Sequence, residues 1–366
     1  MSMPLPKNNS LPISKLAGVF NSTTNSYKYF WLLAIINIVA KKHRKKIKFS
    51  ELVVEIISLL WYPINYYNIS FGKQDKLYEK IFSLRDALNL PVNLKRNDLL
   101  NIIKENHENA IISAVVKDIT RYVPYRFLAP WFNNQLAGLS DSSKNQEIAN
   151  LSNSKSKNKP FYRIDKINKT IEITDEWYEY LYANMQIIND FTYWNLLQYL
   201  EKRNPNVPNI SQKLFEPVSR KLNTAREFWN TVINEVGNIK CIYSNEIIHP
   251  NNYAIDHYIP WSFVTHDKLW NLIPTTNQIN SIKSNNVPAV KYFDKFAEIQ
   301  FSATRIILSE YRSKKLLEDY LLLFRLNLNE FGLLSHSEFK NKLKGTINPL
   351  AQIATNSGFN SKWVYS

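Results

Sequence analysis

The sequence predicts a mainly α-helical protein with a small α+β insert in its C-terminal half. Apolar residues at helical spacing fill most of the chain, whereas short alternating runs appear only in a few places. With 45% hydrophobic and 13% aromatic residues, the 366-residue chain can bury a sizeable core. Its 7 glycines argue against many tight β-turns. The length allows two or three domains, or one large domain with an inserted module.

Residues 1–137 are expected to form a compact α-helical domain with an aromatic core. Apolar residues from Tyr27 to Ile38 recur at helical spacing and predict a helix that ends in the basic run KKHRKK. A second helix is expected to begin at Ser50 as N-cap and to stop before Pro63. Further helical patterns cover 75–88 and 96–117.

The composition changes at residues 138–160, where Ser, Asn and Lys dominate, and this predicts a flexible linker or surface loop. Residues 161–236 then predict a short hairpin, from FYRID and TIEI, followed by helices over 175–202 and 217–236. A small module is expected at 237–290. Residues 291–366 predict C-terminal helices, to about residue 328, and a tail.

The net charge of +15 and the pI near 9.5 favour polyanionic partners, of which nucleic acid is the commonest. A lysine-rich, AT-biased genome would produce the same excess. The single cysteine excludes an intrachain disulfide and fits a reducing cytoplasm. No run near the N-terminus could serve as a signal peptide, and the most apolar stretch, 29–40, is shorter than the roughly 20 residues of a membrane span. We therefore expect a cytoplasmic protein with no membrane partner.

The module at 237–290 reads as strand, long loop, strand, helix. IKCIYS and EIIHP predict two short strands around a turn, and YAIDHYIP predicts a further strand that Pro260 ends. WNLIPT returns as a strand, and Thr275 opens a helix through a capping box with Gln278. Cys241 is expected in the core.

Four side chains of this module suggest chemistry. Asp256 and His257 are adjacent on a strand, so their side chains point to opposite faces, and one could bind a metal while the other faces a water. Asn280 and Lys283 share one face of the following helix. Carboxylate and amide oxygens suit Mg²⁺ or Mn²⁺, and a neutral imidazole can take a proton from water. The other histidines nearby, His249 and His266, are more simply explained as solvated side chains.

These residues resemble the HNH nuclease family, the ββα-metal fold, and most closely the HNH domain of RNA-guided CRISPR nucleases. The resemblance implies that His257 is the general base and that Asp256 and Asn280 bind the metal. It further implies that Asn271 holds the loop and orients the base, and that Lys283 contacts a phosphate. The rest of the chain is similar to stand-alone bacterial HNH proteins that are thought to act in restriction or phage defence. The pattern shared with the HNH domain of RNA-guided CRISPR nucleases consists of Asp256-His257, Ser262-Phe263, Asn271, Asn280, Lys283-Ser284 and Asn286-Val287-Pro288.

One departure concerns zinc. Many HNH proteins carry paired CxxC motifs, but here Ser244 stands where the second cysteine after Cys241 would be. No structural zinc is therefore expected, and Trp261, Phe263 and Trp270 are expected to support the hairpin by packing.

The implied function is a Mg²⁺- or Mn²⁺-dependent endonuclease that hydrolyses phosphodiester bonds of DNA, with RNA as a less favoured substrate. The alternative is a non-catalytic nucleic-acid-binding module on a degenerate HNH fold. A homodimer or an activating partner protein is possible, and the N-terminal helical domain would bind nucleic acid or sense a trigger. A basic cluster could either contact phosphates or line solvated helix faces; it comprises Lys213, Arg220, Lys221 and Arg226.

Overall fold

A computed structural model describes residues 4–106, 108–154, 158–218, 220, 222–250, 252–311 and 314–366. These residues fall into two compact units. The first unit extends to Pro205 and also takes in Lys213–Glu216, and the second comprises Asn206–Gln212 and Pro217–Ser366. The expected fold class is confirmed, since the structure is mostly helical with two small sheets. None of the helices in the described part of the chain has the length and apolar character that a bilayer crossing requires.

The first unit is built around α2, which begins after Ser26 and ends at Lys42. Nearly every residue of α2 between Tyr29 and Val39 is buried, so other helices surround it. His43 ends the helix in the left-handed conformation, with φ of 48°. The helices of this unit are α1 (Ile13–Ala17), α2 (Tyr27–Lys42), α3 (Phe49–Trp61), α4 (Leu77–Ala87), α5 (Arg96–Glu105), α6 (Ala110–Thr120), α7 (Val123–Arg126), α8 (Asp141–Asn153), α9 (Asp175–Ala183) and α10 (Met185–Glu201).

A three-stranded antiparallel sheet completes the first unit. Strands β2 (Tyr162–Asp165) and β3 (Thr170–Ile173) form the expected hairpin, and β1 (Lys46–Lys48) pairs with the other edge of β3. The register aligns Ile47 with Ile171 and Ile171 with Ile164, which places three buried isoleucines side by side. Strand β1 was not predicted, because only its central residue is buried and the basic run around it hides that pattern.

A buried polar chain links the central helix of this unit to the hairpin. The indole Nε1 of Trp31 donates to the Tyr162 hydroxyl at 3.0 Å, and that hydroxyl donates to the Pro124 carbonyl at 2.6 Å. Both Trp31 and Tyr162 are fully buried. Each polar group therefore depends on its partner, because no water can replace it.

Several predictions for the first unit need correction. The flexible linker at 138–160 is wrong over Asp141–Asn153, which is helix α8, and its residues 155–157 lie outside the described residues. Ser140 caps α8, and Ile148 is buried. Tertiary packing therefore stabilises a helix that its polar composition does not predict. The pattern at 96–117 is two helices, α5 and α6, because Asn109 caps a new start. Helix α3 begins two residues earlier than predicted, so Ser50 is not its N-cap. The α-helix ends before Pro63, and a short π-helix at Tyr62–Tyr66 follows it.

The second unit contains a two-stranded sheet surrounded by helices. Strands β4 (Ala254–His257) and β5 (Leu272–Thr275) are antiparallel, with Asp256 opposite Ile273 and His257 opposite Leu272. All residues of both strands are buried. The helices are α11 (Asn223–Val236), α12 (Trp261–Val264), α13 (Asn277–Lys283), α14 (Phe293–Ile306), α15 (Lys314–Phe324), α16 (Leu328–Gly332) and α17 (His336–Asn356).

The order β4, long loop, β5, α13 matches the expected one. Helix α14 supports it through Gln300, whose fully buried amide donates to the Leu272 carbonyl at 2.7 Å. Tyr320 on α15 donates to the Gln300 side-chain oxygen. The C-terminal segment reinforces the end of the module, since Trp363 exchanges backbone hydrogen bonds with Val287 and Ala289 at 3.0 and 2.8 Å.

Three local predictions for the second unit were wrong. IKCIYS and EIIHP do not form two strands, since only isolated bridges are present there, from Lys240 to Ile247 and from His249 to Asn252. The cap of α13 is Thr276, which accepts from the Ile279 amide, rather than Thr275, which completes β5. The expected C-terminal tail is largely the long helix α17. A separate difference concerns the domain boundary, since the hairpin and the helices to Glu201, expected to lead into the module, fall in the first unit.

Replacing Tyr162 by Phe tests the buried polar chain. The change leaves the Trp31 indole and the Pro124 carbonyl without a partner, so we expect the first unit to lose about 1–3 kcal/mol in free energy of unfolding. Denaturant unfolding followed by fluorescence measures this loss. The control is Tyr182→Phe, at a residue 54% exposed, where a change within about 0.5 kcal/mol is expected. Equal effects of the two substitutions would contradict the account.

Candidate functional site

Asp256 lies at the centre of the site and is only 3% exposed. Its Oδ2 accepts a hydrogen bond from the Tyr243 hydroxyl at 2.8 Å. Its Oδ1 accepts one from the Lys283 ammonium at 3.0 Å. The same ammonium donates to the backbone carbonyl of His257 at 2.7 Å. The last turn of α13 is therefore attached both to the side chain and to the backbone of β4.

Burial keeps the Tyr243 hydroxyl in its neutral form. Burial and the neighbouring Asp256 carboxylate raise the pKa of Tyr243 well above its usual value, so its hydroxyl remains a donor. The Lys283 side chain is 0% exposed and the Asp256 side chain 4% exposed. Because two buried charges are stable only when they are paired and hydrogen-bonded, each of these side chains fixes the position of the other.

His257 is held between groups of opposite charge. Its Nε2 lies 2.8 Å from Asp267 Oδ1, and its Nδ1 lies 3.4 Å from the Arg220 guanidinium. A guanidinium can only donate, so Nδ1 must be the accepting nitrogen. Nε2 therefore carries the proton and donates a hydrogen bond to the Asp267 carboxylate. This tautomer leaves the lone pair of Nδ1 on the side of Arg220.

The same surroundings keep the His257 imidazole neutral near pH 7. Burial lowers the pKa of His257, and the Arg220 cation lowers it further, while the hydrogen bond to Asp267 acts in the opposite direction. The net direction is downward from 6.5. A neutral imidazole is the form that can accept a proton.

Asn271 closes the loop that follows His257. Its fully buried amide donates to the Ile259 carbonyl at 2.9 Å and accepts from the Ile259 amide at 2.8 Å. The Asn271 carbonyl accepts from the Tyr258 amide at 2.8 Å. These bonds join the beginning of the loop to its end and so fix the backbone that carries the His257 ring.

Asn280 lies in the middle of α13, one turn before Lys283, and is half-buried. Its side-chain amide forms no hydrogen bond with any described residue. Among these residues no three His, Cys, Asp or Glu side chains gather into a metal-binding group. The expected oxygen ligands are the Asp256 carboxylate, whose two oxygens already accept from Tyr243 and Lys283, and the Asn280 amide on the following helix. Such a small set fits Mg²⁺ or Mn²⁺, ions that usually keep several water ligands.

Lys283 does not lie where a phosphate contact was expected. The helix face that it shares with Asn280 is turned towards β4, and its ammonium is enclosed by Asp256 and the His257 carbonyl. The structure gives this lysine a partner inside the protein. We therefore describe Lys283 as a residue that positions Asp256.

Three residues of the site were missed or left undecided by the sequence. Tyr243 lies in a run that was read as a strand and Asp267 lies in the polar loop, and nothing in the spacing marks either as a site residue. Arg220 was one member of a basic cluster, and the structure places it beside His257 and 5.2 Å from the Trp261 ring. In the rest of that cluster Arg226 is exposed and Lys213 is fully buried in the first unit, while Lys221 lies outside the described residues.

The remaining expectations concern packing around the site. Phe263 and Trp270 are buried as expected, and Trp261 is half-buried. Cys241 is in the core, with its Sγ 3.2 Å from Thr275 Oγ1.

The two other histidines differ from each other. His249 is exposed, as expected, but His266 is half-buried against Trp270, with ring centroids 5.1 Å apart. Burial lowers the pKa of His266 to about 4, so it is neutral near pH 7 rather than a freely solvated group.

Comparison with protein families gives this arrangement an identity. Residues 240–289 match the family model described as HNH endonuclease. The second unit carries an HNH domain. The matched range contains strands β4 and β5 and helix α13, and with them Asp256, His257 and Asn271. The expected HNH resemblance is confirmed over this range.

The HNH domain implies a nucleic-acid substrate, and nucleases of this family typically depend on a divalent metal. Comparisons of the chain with curated proteins and with solved structures gave no match.

Replacing Lys283 by Met tests the buried pair. Because the Asp256 carboxylate would stay buried without its cation, we expect a loss of about 3–5 kcal/mol in the stability of the second unit. The control is Lys268→Met, which removes a pair with Asp319 whose N···O distance is 2.7 Å and whose lysine is 47% exposed. There the expected loss is below about 1 kcal/mol. Thermal or denaturant unfolding compares the two, and a Lys283→Met protein as stable as the control would contradict the pairing.

Proposed function

We propose that this protein is a metal-dependent HNH endonuclease that hydrolyses phosphodiester bonds of DNA. The observation that carries the proposal is the position of His257, a buried neutral imidazole whose Nδ1 lone pair lies beside a guanidinium. A base next to a cation is the arrangement needed to activate water against an anionic phosphate.

Each residue has a role in this reaction. Asp256 and Asn280 would hold Mg²⁺ or Mn²⁺, which when bound neutralises charge on the scissile phosphate and its leaving oxygen. Nδ1 of His257 takes the proton of the attacking water, and Asp267 stabilises the imidazolium that forms. Arg220 binds a phosphate oxygen. The new bond joins the water oxygen to phosphorus, the P–O3′ bond breaks, the leaving O3′ takes a proton from solvent, and the products carry a 5′-phosphate and a 3′-hydroxyl.

Asn271 and Lys283 act indirectly. Asn271 fixes the loop between His257 and β5, and with it the orientation of the base. Lys283 keeps the Asp256 carboxylate in place and also holds the His257 carbonyl. Both are positioning residues, because neither has a polar group left to reach a substrate.

The nature of the substrate and the biological setting are also part of the proposal. The charge of +15 supports a polyanionic substrate, and we propose DNA, with RNA as the second candidate. A role in restriction or phage defence, in the cytoplasm, rests on the similarity to stand-alone bacterial HNH proteins. Cutting both strands would require a homodimer or two successive events, and a partner protein would activate the enzyme.

The second function considered is a nucleic-acid-binding module on a degenerate HNH fold. Such a module would be expected to have lost the base or a ligand. Here the base, the carboxylate and the amide are all present, and Asp267 and Arg220 complete the surroundings of the base. The intact constellation favours the enzyme.

Plasmid cleavage tests the proposal directly. Wild-type protein with Mg²⁺ or Mn²⁺ is expected to nick or linearise supercoiled plasmid, and EDTA is expected to abolish the cleavage. His257→Ala is expected to lower the rate by at least about a hundredfold, as for removal of a general base. The matched control is His336→Ala, at an exposed histidine on α17 outside the matched range 240–289, which should cut at the wild-type rate.

Two results would contradict the proposal in different ways. If wild type and His257→Ala cut equally, His257 is not the base. If neither protein cuts plasmid, single-stranded DNA or RNA with either metal, while both bind DNA, the binding module is the better description.

The pH dependence of cleavage reports the state of His257. Because burial and Arg220 lower the pKa of this base from 6.5, the neutral form persists as the pH falls from 8 to 6.5. We expect kcat/KM to stay level in that range and to decline only at lower pH. Arg220→Gln removes a cation that lowers the pKa, so the decline should begin at higher pH. Asp267→Asn removes an interaction that raises it, so the decline should begin at lower pH. Shifts of opposite sign to these would contradict the assignment.

A further inference from the structure

The first unit contains a groove of about 1060 Å³, which has no part in the proposed cleavage reaction. Helices α2, α3, α5 and α6 supply most of its walls, and the turn between β2 and β3 closes one end. All its lining residues belong to the first unit.

The floor of the groove is apolar. Phe49, Ile103 and Ile112 are at most 4% exposed, so they form a solid apolar base rather than a flexible surface. A ligand with only charged groups would gain nothing from such a floor, whereas a planar or aliphatic body would bury apolar area against it. The apolar lining comprises Ile38, Phe49, Val54, Leu100, Ile103, Ile112 and Val116.

The rim of the groove is basic. Two glutamates also line it, but both are already neutralised. Glu51 accepts from Lys42 and Arg44, and although burial alone would raise its pKa, these hydrogen bonds lower it to about 2. Glu55 is bound by Arg96. The lysines on the rim are Lys41, Lys42, Lys48, Lys104, Lys117 and Lys169.

Three of these lysines supply the unbalanced charge. Lys48, Lys117 and Lys169 are exposed, and none forms an ion pair with another described residue. The Lys169 carbonyl accepts from the Phe49 amide at 2.8 Å, which fixes the turn carrying Lys169 beside the start of α3. An anion entering the groove would therefore meet cations from three separate elements.

We propose that this groove binds a nucleotide, meaning an organic anion with several phosphates and one planar base. The phosphates contact the lysine rim, and the base lies on the apolar floor. The volume is close to the upper end of the range of about 300–1,000 Å³ that is usual for small-molecule sites. A nucleic-acid strand is less suited, because its backbone is bound by open basic surfaces and its bases stack on exposed aromatic rings. The single aromatic residue of the lining, Phe49, is buried.

Fluorescence anisotropy with the N-methylanthraniloyl derivatives of ATP and GTP tests the proposal. The full chain is used in EDTA, so that no metal-dependent binding or cleavage contributes. We expect saturable binding of at least one of them, one per chain. The triple substitution K48E/K117E/K169E should weaken it at least about tenfold. The control K73E/K76E/K202E changes the charge equally, at exposed lysines of the same unit that do not line the groove, and should change the affinity less than about twofold.

The role of the floor is tested by competition. Unlabelled ATP or GTP should displace its derivative at least about tenfold better than inorganic triphosphate does, because triphosphate lacks the base. Thermal unfolding of the triple variants checks that they are folded, and K48Q/K117Q/K169Q replaces the first if it is not.

Three results would overturn the proposal. The first is the absence of saturable binding of either derivative up to about 1 mM. The second is equal binding by the groove and control variants. The third is displacement of the probe by a single-stranded oligonucleotide at lower concentration than by the free nucleotide, which would make the groove a nucleic-acid surface.

Discussion

The buried ion pair between Asp256 and Lys283 is the interaction on which the HNH domain depends. Its ammonium also binds the carbonyl of His257, so one side chain on α13 fixes both a candidate metal ligand and the backbone of the candidate base. Tyr243 holds the other carboxylate oxygen. Because each charge would be costly to bury alone, the pair specifies how α13 lies against β4. The contact between the helix and the strand is thereby made by a side chain of the protein itself.

A second set of contacts fixes the base. Asn271 joins the start of the loop after β4 to its end. Asp267, within the same loop, accepts a hydrogen bond from Nε2 of His257. The loop is in turn held from outside, since the Asp319 carboxylate on α15 accepts from the Leu269 amide at 2.9 Å. Helices beyond the matched family range therefore contribute to the geometry of the site, and Gln300 does the same for β5.

The sequence predicted those features of the site that depend on residues close together along the chain. Asp256, His257, Asn271 and Asn280 lie on consecutive elements, and their order along strand, loop, strand and helix was predictable from the sequence. The contacts of Tyr243 with Asp256 and of Arg220 with His257 arise from tertiary packing, and no local pattern announces them. Helix α8 was missed because its composition is polar and few of its residues are buried. Helix α17 was missed although Ser335 and Glu338 form a capping box that could have been recognised.

The surroundings of His257 also bear on when the base is strongest. Arg220 lowers the pKa of this histidine, and Asp267 raises it, so the two neighbours oppose each other in the free protein. On the proposed function, an anionic phosphate that binds Arg220 offsets the guanidinium charge felt by Nδ1. The influence of Asp267 then prevails, and the imidazole becomes a stronger base as the substrate arrives. A histidine flanked only by the carboxylate would be protonated more readily without substrate. On the proposed function, the guanidinium therefore both binds phosphate and keeps the base neutral until phosphate is bound.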